Sequence, residues 1–225
     1  MLIVFDCDGV LVDSEIIAAA VDAEFLSEAG YAITAGEVNR RFAGLTSREI
    51  AAIVEGETGR PLPDEFFDRV QAEIDLRLAA EVKAVPGVHE VLDRLDGPWC
   101  VASNSSSERL AITLKKTLLY DRFVPYIYSA VEVGTREPKP SPNVYRYAMG
   151  EFHAAPRDTV VIEDSFPGVT AAHAAGARVI GFTGGSHTFP GHADLLTAAG
   201  AETVIRRMAE LPRVVAAMVE WAGID

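Results

Sequence analysis

The chain has 225 residues, of which 49% are hydrophobic and 24% are charged, and its formal net charge is −13. This length and hydrophobic content are enough for a full core, in one large domain or in one domain with an insertion. An acidic chain whose basic residues cluster only in pairs is poorly suited to bind nucleic acid or an anionic membrane surface. We therefore expect neither partner.

The first predicted element is a short apolar run over residues 2–6, typical of a strand that is buried on both faces. Asp6 and Asp8 follow at its end, one residue apart, and Gly9 permits a sharp turn after them. Two carboxylates this close repel each other. The run therefore predicts that a cation lies between them or that one of them holds a proton.

Helical periodicity replaces the strand pattern from residue 15 onward. The apolar residues of the first helix recur four apart, at Ile17, Val21 and Phe25. Three further helices are predicted over residues 35–42, 47–57 and 64–80. Because no strand is predicted in this block, we expect residues 15–84 to form an all-helical unit, inserted after the first strand.

Helices and strands alternate in the remainder of the chain. Strands are predicted over residues 98–103, 125–130, 159–163, 178–182 and 203–205. Helices are predicted over residues 87–95, 107–118, 142–149, 167–175, 190–199 and 208–222. This alternation predicts an α/β fold, a Rossmann-like parallel sheet with helices on both faces. We expect the core domain to comprise residues 1–14 and 85–225.

Open parallel sheets bind ligands beyond the carboxyl ends of their strands. The polar residues predicted at those ends are Asp6, Asp8, Ser103, Asn104, Ser105, Glu163 and Asp164. Lys139 joins them from the proline-rich segment "REPKPSP". Mg²⁺ prefers carboxylate oxygens and keeps several waters, so this edge of the sheet is a candidate magnesium site.

The candidate metal ligands are Asp6, the backbone carbonyl of Asp8, and Asp164, with Glu163 as a further ligand or a close neighbour. Such an ion would offset the repulsion among the acids and leave positions open for a phosphoryl oxygen. Lys139 and Ser103 are candidates to hold the other phosphoryl oxygens.

Several other polar residues receive structural interpretations. Ser105 and Glu108 fit a capping box for the helix near 107–118, whose N-terminus would favour an anion. His187 and His192 lie in a glycine-containing segment, and we expect them at the surface. The two cysteines, Cys7 and Cys100, are predicted to be buried, without a disulfide.

Four segments together resemble the motifs of the haloacid dehalogenase superfamily, in that family's order. They are "DCDGVLVDSE", "VASNSS", "KPSP" and "VIEDSFPGVTAAHAAGA". The resemblance spans essentially the whole core, and the helical insertion resembles that family's C1-type cap. Within the family, the chain is similar to the β-phosphoglucomutase-like and sugar-phosphate phosphatase branch.

The resemblance implies phosphoryl transfer through an aspartyl phosphate on Asp6, with Asp8 as the general acid and base and Mg²⁺ as the cofactor. Lys139 and Ser103 would stabilise the phosphoryl group, with Asn104 and Ser105 contacting the substrate. This agrees with the chemistry of the residues, because a carboxylate nucleophile divides the transfer into two easier steps. The implied activity is hydrolysis of a small phosphorylated metabolite, a sugar phosphate or a sugar-acid phosphate.

Phosphosugar mutases are the nearest alternative. β-Phosphoglucomutase-type relatives have a histidine where this chain has Ala18, and an arginine where it has Ser47. Both departures favour hydrolysis. Arg48 and the Gly44–Ser47 loop remain the candidates for touching the leaving group, while a solvated Arg48 at the start of a helix is an equal alternative.

Two remoter alternatives are a true dehalogenase and a non-enzymatic phospho-receiver domain. Dehalogenases lack an equivalent of Asp8, and receiver domains lack a large cap, so both are disfavoured. The sequence has no secretory signal pattern and no apolar run long enough to span a bilayer. We expect a cytoplasmic monomer.

Overall fold

The computed structural model describes residues 1–42, 45 and 47–222. In this part of the chain, a six-stranded parallel sheet has the order β3-β2-β1-β4-β5-β6. The strands are β1 (Leu2–Phe5), β2 (Trp99–Ser103), β3 (Ile127–Ser129), β4 (Thr159–Glu163), β5 (Arg178–Phe182) and β6 (Thr203–Ile205). The predicted Rossmann-like α/β fold is confirmed.

Four helices lie between β1 and β2 in the chain, which we call the cap helices. They are α1 (Glu15–Glu28), α2 (Ala35–Phe42), α3 (Ser47–Thr58) and α4 (Phe66–Glu81). The helices that accompany the sheet are α5 (Val88–Leu92), α6 (Ser107–Lys116), α7 (Tyr120–Phe123), α8 (Asn143–Glu151), α9 (Phe166–Ala174), α10 (His192–Ala199) and α11 (Leu211–Ala222). The short α7 was not predicted.

The central strand β1 is apolar throughout because both of its faces are covered. Ile3 and Phe5 belong to one hydrophobic cluster, in which Phe5 packs edge-on against Phe123 at 5.9 Å between ring centroids. Leu2 and Val4 belong to a second cluster on the opposite face. This double burial holds the end of β1, and the residues that follow it, in a fixed position.

The chain leaves and re-enters the sheet region through two adjacent segments. The amide of Asp13 donates to the carbonyl of Lys83 at 2.9 Å, and the amide of Val85 donates to the carbonyl of Leu11 at 3.0 Å. We propose domain boundaries here, with residues 15–84 as the cap and residues 1–14 and 85–225 as the core. Among the described helices, none is long and apolar enough to cross a membrane.

Candidate active site

The carboxyl ends of β1, β2 and β4 open into a cavity of about 460 Å³. The predicted residues that line it are Asp6, Asp8, Ser103, Asn104, Ser105, Lys139 and Asp164. Residues of all four cap helices also line it. The edge of the sheet identified from the sequence is therefore one wall of a cavity that lies between the core and the cap helices.

Lys139 is buried beside Asp6 with all of its donors used. Its Nζ donates to Asp6 Oδ1 at 2.6 Å, to Glu163 Oε1 at 2.7 Å and to the carbonyl of Ala102 at 2.9 Å. Burial alone would lower the pKa of Lys139, but the charges of Asp6 and Glu163 outweigh it and raise the pKa well above its usual value. Lys139 is therefore a fixed cation at this end of the cavity.

Asp6 stands among other acids at the end of β1. Burial is the largest cause that raises the pKa of Asp6 well above its usual value, and Glu163 and Asp164 raise it further, while Lys139 lowers it. Among the described residues, no donor bonds to Asp6 Oδ2. That oxygen is available to a cation or to an electrophile that enters the cavity.

Three serine hydroxyls surround the carboxylate of Asp8. Ser14 donates to Oδ1 at 2.7 Å, and Ser105 and Ser103 donate to Oδ2 at 2.8 and 3.2 Å. A hydroxyl can donate or accept by rotating about its C–O bond, so this set can hold Asp8 in either protonation state. The three hydroxyls therefore fix the position of the Asp8 carboxyl group.

The cap of α6 differs from the predicted capping box. Ser106 is the N-cap, and its side chain accepts a hydrogen bond from the amide of Arg109 at 3.3 Å. The prediction that placed Ser105 in this role was wrong, because its hydroxyl turns toward Asp8 instead. Neighbouring serines are equally good caps in sequence, and only the position of Asp8 distinguishes them.

Glu163 is completely buried, with both carboxylate oxygens engaged. Oε1 accepts from Lys139 and from the hydroxyl of Tyr145 at 2.7 Å. Oε2 accepts from the amides of Asp164 and Ser165 and from the Ser165 hydroxyl, at 3.0, 3.1 and 3.0 Å. We propose that Glu163 orients Lys139 and the β4–α9 turn rather than binding a metal directly.

The acid cluster fits a hard divalent cation. Asp6, Glu163 and Asp164 each offer an oxygen, and these oxygens lie within 4.8 Å of one another. Burial raises the pKa of Asp164 as it does that of Asp6, as expected for carboxylates whose charge is not fully compensated. Since Glu163 is engaged elsewhere, Asp6, Asp164 and the backbone carbonyl of Asp8 are the groups that could hold Mg²⁺.

His187 and His192 are not surface residues, contrary to the prediction. His187 Nε2 lies 3.0 Å from Asp164 Oδ2, and His192 Nε2 lies 2.6 Å from the backbone oxygen of Asp164. Burial would lower the pKa of His187, but its hydrogen bond to Asp164 and the charges of Asp164 and Glu15 raise it to about 9. The segment after β5 therefore reaches the acid cluster.

The cap side of the cavity is mostly apolar. Its apolar residues include Val38, Phe42, Leu45, Ile50, Phe67, Ile74 and Leu78. Arg109 of α6 also lines the cavity, and its Nε donates to Asp75 of α4 at 2.6 Å. Two acids, Glu15 and Asp22, face the cavity from α1.

Arg48 is exposed and is not among the residues that line the cavity. Its guanidinium lies over the ring of Phe67, 4.2 Å from the centroid. In the Gly44–Ser47 loop, Gly44, Thr46 and the Ser47 side chain lie outside the described residues. The predicted substrate contacts of this loop and of Arg48 stay predictions.

Ser14, Tyr145, Arg109 and His187 contribute to the site but were not predicted. Ser14 belongs to the first motif and could have been included, because it lies in the segment that begins with Asp6. His187 follows β5, which ends at the same edge of the sheet as β4. Tyr145 and Arg109 neither belong to a motif nor follow a strand, and their partners are distant in sequence, so the sequence did not indicate them.

Comparisons with known proteins agree with this architecture. A family model for haloacid dehalogenase-like hydrolases matches residues 3–182. A conserved haloacid dehalogenase-like protein of unknown function from Agrobacterium tumefaciens str. C58 is 51% identical, with a TM-score of 0.93 over 97% of this chain and 98% of that chain.

Two further relatives are more distant. A HAD family hydrolase from Deinococcus radiodurans R1, with bound phosphate and sodium, is 31% identical, with a TM-score of 0.81 over 97% of this chain and 96% of that chain. The 6-phosphogluconate phosphatase of Escherichia coli (strain K12) is 28% identical over 187 residues, 83% of this chain and 84% of that protein.

Proposed function

The chain belongs to the haloacid dehalogenase-like hydrolase family, and on this premise we propose that it is a magnesium-dependent phosphatase of a small phosphorylated metabolite. One observation carries the proposal. Asp6 makes a buried contact with Lys139, and Asp8, which lies two residues after Asp6, accepts hydrogen bonds from three serine hydroxyls. A sugar phosphate or a sugar-acid phosphate is the proposed substrate class. A cytoplasmic location and a monomeric state also remain proposals.

In the proposed first step, a carboxylate oxygen of Asp6 attacks phosphorus. The bond from phosphorus to the leaving oxygen breaks as Asp8 gives its proton to that oxygen. Water then attacks the phosphorus of the aspartyl phosphate, and Asp8 accepts a proton from this water. The bond between phosphorus and Asp6 breaks, which releases inorganic phosphate and restores both carboxyl groups.

The remaining residues position these groups. Lys139 and Ser103 would each exchange a present hydrogen bond for one to a phosphoryl oxygen. Asn104, whose side-chain oxygen accepts from the Lys139 amide at 2.8 Å, fixes the loop that carries Lys139. A bound Mg²⁺ would supply further neutralisation of the phosphoryl charge. The cap helices would exclude bulk water from the reacting groups.

The rival functions are less well supported. Ala18 lines the cavity without any group that could transfer a proton, which favours hydrolysis over a mutase reaction. A dehalogenase would have no evident use for the carboxyl group of Asp8, which three serine hydroxyls hold in place. A receiver domain would keep its phosphoryl group, whereas the proposed role of Asp8 is to help water remove it.

The first test is phosphate release from 4-nitrophenyl phosphate and a panel of phosphorylated metabolites. We expect EDTA to lower the rate at least about 100-fold and Mg²⁺ to restore it, because the acid cluster would otherwise repel the phosphoryl group. Isomerisation of β-glucose 1-phosphate is assayed beside it. A stable acid-labile phosphoprotein without release would instead support the receiver alternative, and efficient isomerisation would support the mutase.

The role of Arg48 has its own test. If Arg48 reaches the leaving group, Arg48→Ala should raise KM for a good substrate several-fold and affect 4-nitrophenyl phosphate less. Steady-state kinetics on both esters would show the difference. Equal effects on the two esters would mean that Arg48 does not contact the leaving group.

A further inference from the structure

We propose that the ion pair between Arg109 and Asp75 makes the enzyme select phosphate esters whose leaving group is uncharged. This inference rests on the proposed phosphatase function and narrows its substrate class. Arg109 and Asp75 act as specificity-determining residues, and neither takes part in the chemical steps.

Arg109 is the residue that could have received an anionic leaving group. Among the described residues that line the cavity, Lys139 and Arg109 are the lysine and arginine side chains. Lys139 is committed to Asp6, Glu163 and a backbone carbonyl. The exposed Arg48 does not line the cavity.

Arg109 is itself engaged by the cap. Its Nε donates to Asp75 Oδ1 at 2.6 Å and its Nη2 donates to Gln71 Oε1 at 2.9 Å, both from α4. The ion pair is shielded on its Arg109 side, since the Arg109 side chain is 21% exposed and that of Asp75 is 44% exposed. Hydrogen-bonded in this way, the guanidinium is neutralised by a carboxylate of the protein itself.

Of the other charged groups that line the cavity, His187 is already paired with Asp164 at 3.0 Å, and the five acids oppose a second anion. Asp6, Asp8 and Asp164 lie at the phosphoryl end, and Glu15 and Asp22 lie on α1. A carboxylate on the leaving group would enter this negative field without a free cation to receive it, at a cost that burial increases. A polyol leaving group carries no such charge, and its hydroxyls can donate to these acids.

A matched pair of esters tests the inference. Sorbitol 6-phosphate and 6-phosphogluconate are both open-chain and differ only at C1, a CH₂OH group in the first and a carboxylate in the second. We expect the wild type to prefer sorbitol 6-phosphate at least about tenfold in kcat/KM. Where turnover is slow, the two are compared as competitive inhibitors of 4-nitrophenyl phosphate hydrolysis.

Variants then connect the preference to the ion pair. Asp75→Asn frees the charge of Arg109 and should shift the ratio about fivefold or more toward 6-phosphogluconate. Adding Arg109→Met to Asp75→Asn should return the ratio to that of the wild type. Asp68→Asn, an exposed change on the same helix, controls for the loss of one negative charge and should leave the ratio unchanged.

The outcomes separate this inference from the proposed function. Magnesium-dependent phosphate release with no preference between the two esters, or with a preference for 6-phosphogluconate, overturns the inference alone. So does a ratio in Asp75→Asn equal to that in Asp68→Asn. Absence of magnesium-dependent release from any ester, including 4-nitrophenyl phosphate, overturns the proposed function.

Discussion

Asp6→Asn is expected to abolish phosphate release, lowering kcat by about 10⁴-fold or more, while the protein stays folded. The amide oxygen of asparagine can still accept a hydrogen bond from Lys139, but the amide cannot attack phosphorus as a carboxylate does. Because burial and neighbouring acids raise the pKa of Asp6, losing its charge relieves repulsion. The variant should therefore be no less stable than the wild type.

The measurement is phosphate release in saturating Mg²⁺, with thermal unfolding recorded on the same preparations. Asp64→Asn, at an exposed position on the cap, is the matched control and should retain wild-type activity. Acid-quenched wild-type enzyme should carry phosphate on the peptide that contains Asp6, and the variant should not. Residual activity of Asp6→Asn above a few per cent of the wild type would point to a different nucleophile.

Most of the fold was predictable because its strands and all of its helices except the short α7 carry a local pattern of their own. β4, β5 and β6 have the predicted bounds, since continuous apolar runs bounded by polar residues are unambiguous in length. The end of α6 was less clear. Leu118 adopts a left-handed φ of 59°, and a leucine gives no sign that the chain turns there.

The acidic and serine residues of the site were predictable for a different reason. Parallel strands end at one edge, so residues that follow different strands must meet even though they are far apart in sequence. Tyr145 and Arg109 come from helices, where the partner depends on how the elements pack. The contact between Arg109 and Asp75 joins the core to the cap, and a sequence pattern does not specify that relative position.

His187 and His192 were wrongly predicted to lie at the surface because glycine-containing segments are usually exposed loops. Here Ser186 ties the segment to Asp13, through its amide at 3.0 Å and through its hydroxyl. This anchoring turns His187 inward to Asp164. The contact between Ser186 and Asp13, which are far apart in sequence, thus decides the burial of His187. No local sequence pattern indicates this contact.

Lys139→Met is expected to destabilise the metal-free protein by about 3–5 kcal/mol at pH 8, because it leaves Asp6 and Glu163 buried without their cation. The Lys139 side chain is only 3% exposed, so solvent cannot replace it. Urea unfolding in EDTA measures the loss. Lys116→Met, which removes an exposed positive charge, is the control and should change the free energy of unfolding by less than about 0.5 kcal/mol.

The pH dependence identifies the cause of that loss. The pKa of Lys139 is raised, so its stabilising contribution is fully present at both pH 5 and pH 8 in the wild type. The folded pKa of Asp6 lies above its unfolded value of 3.8, so the folded state binds more protons and Asp6 favours folding less as the pH rises through this window. Without Lys139 this decline should steepen, making the destabilisation larger at pH 8 than at pH 5. An equal loss at both pH values would mean that lost packing, rather than repulsion between buried acids, explains the effect.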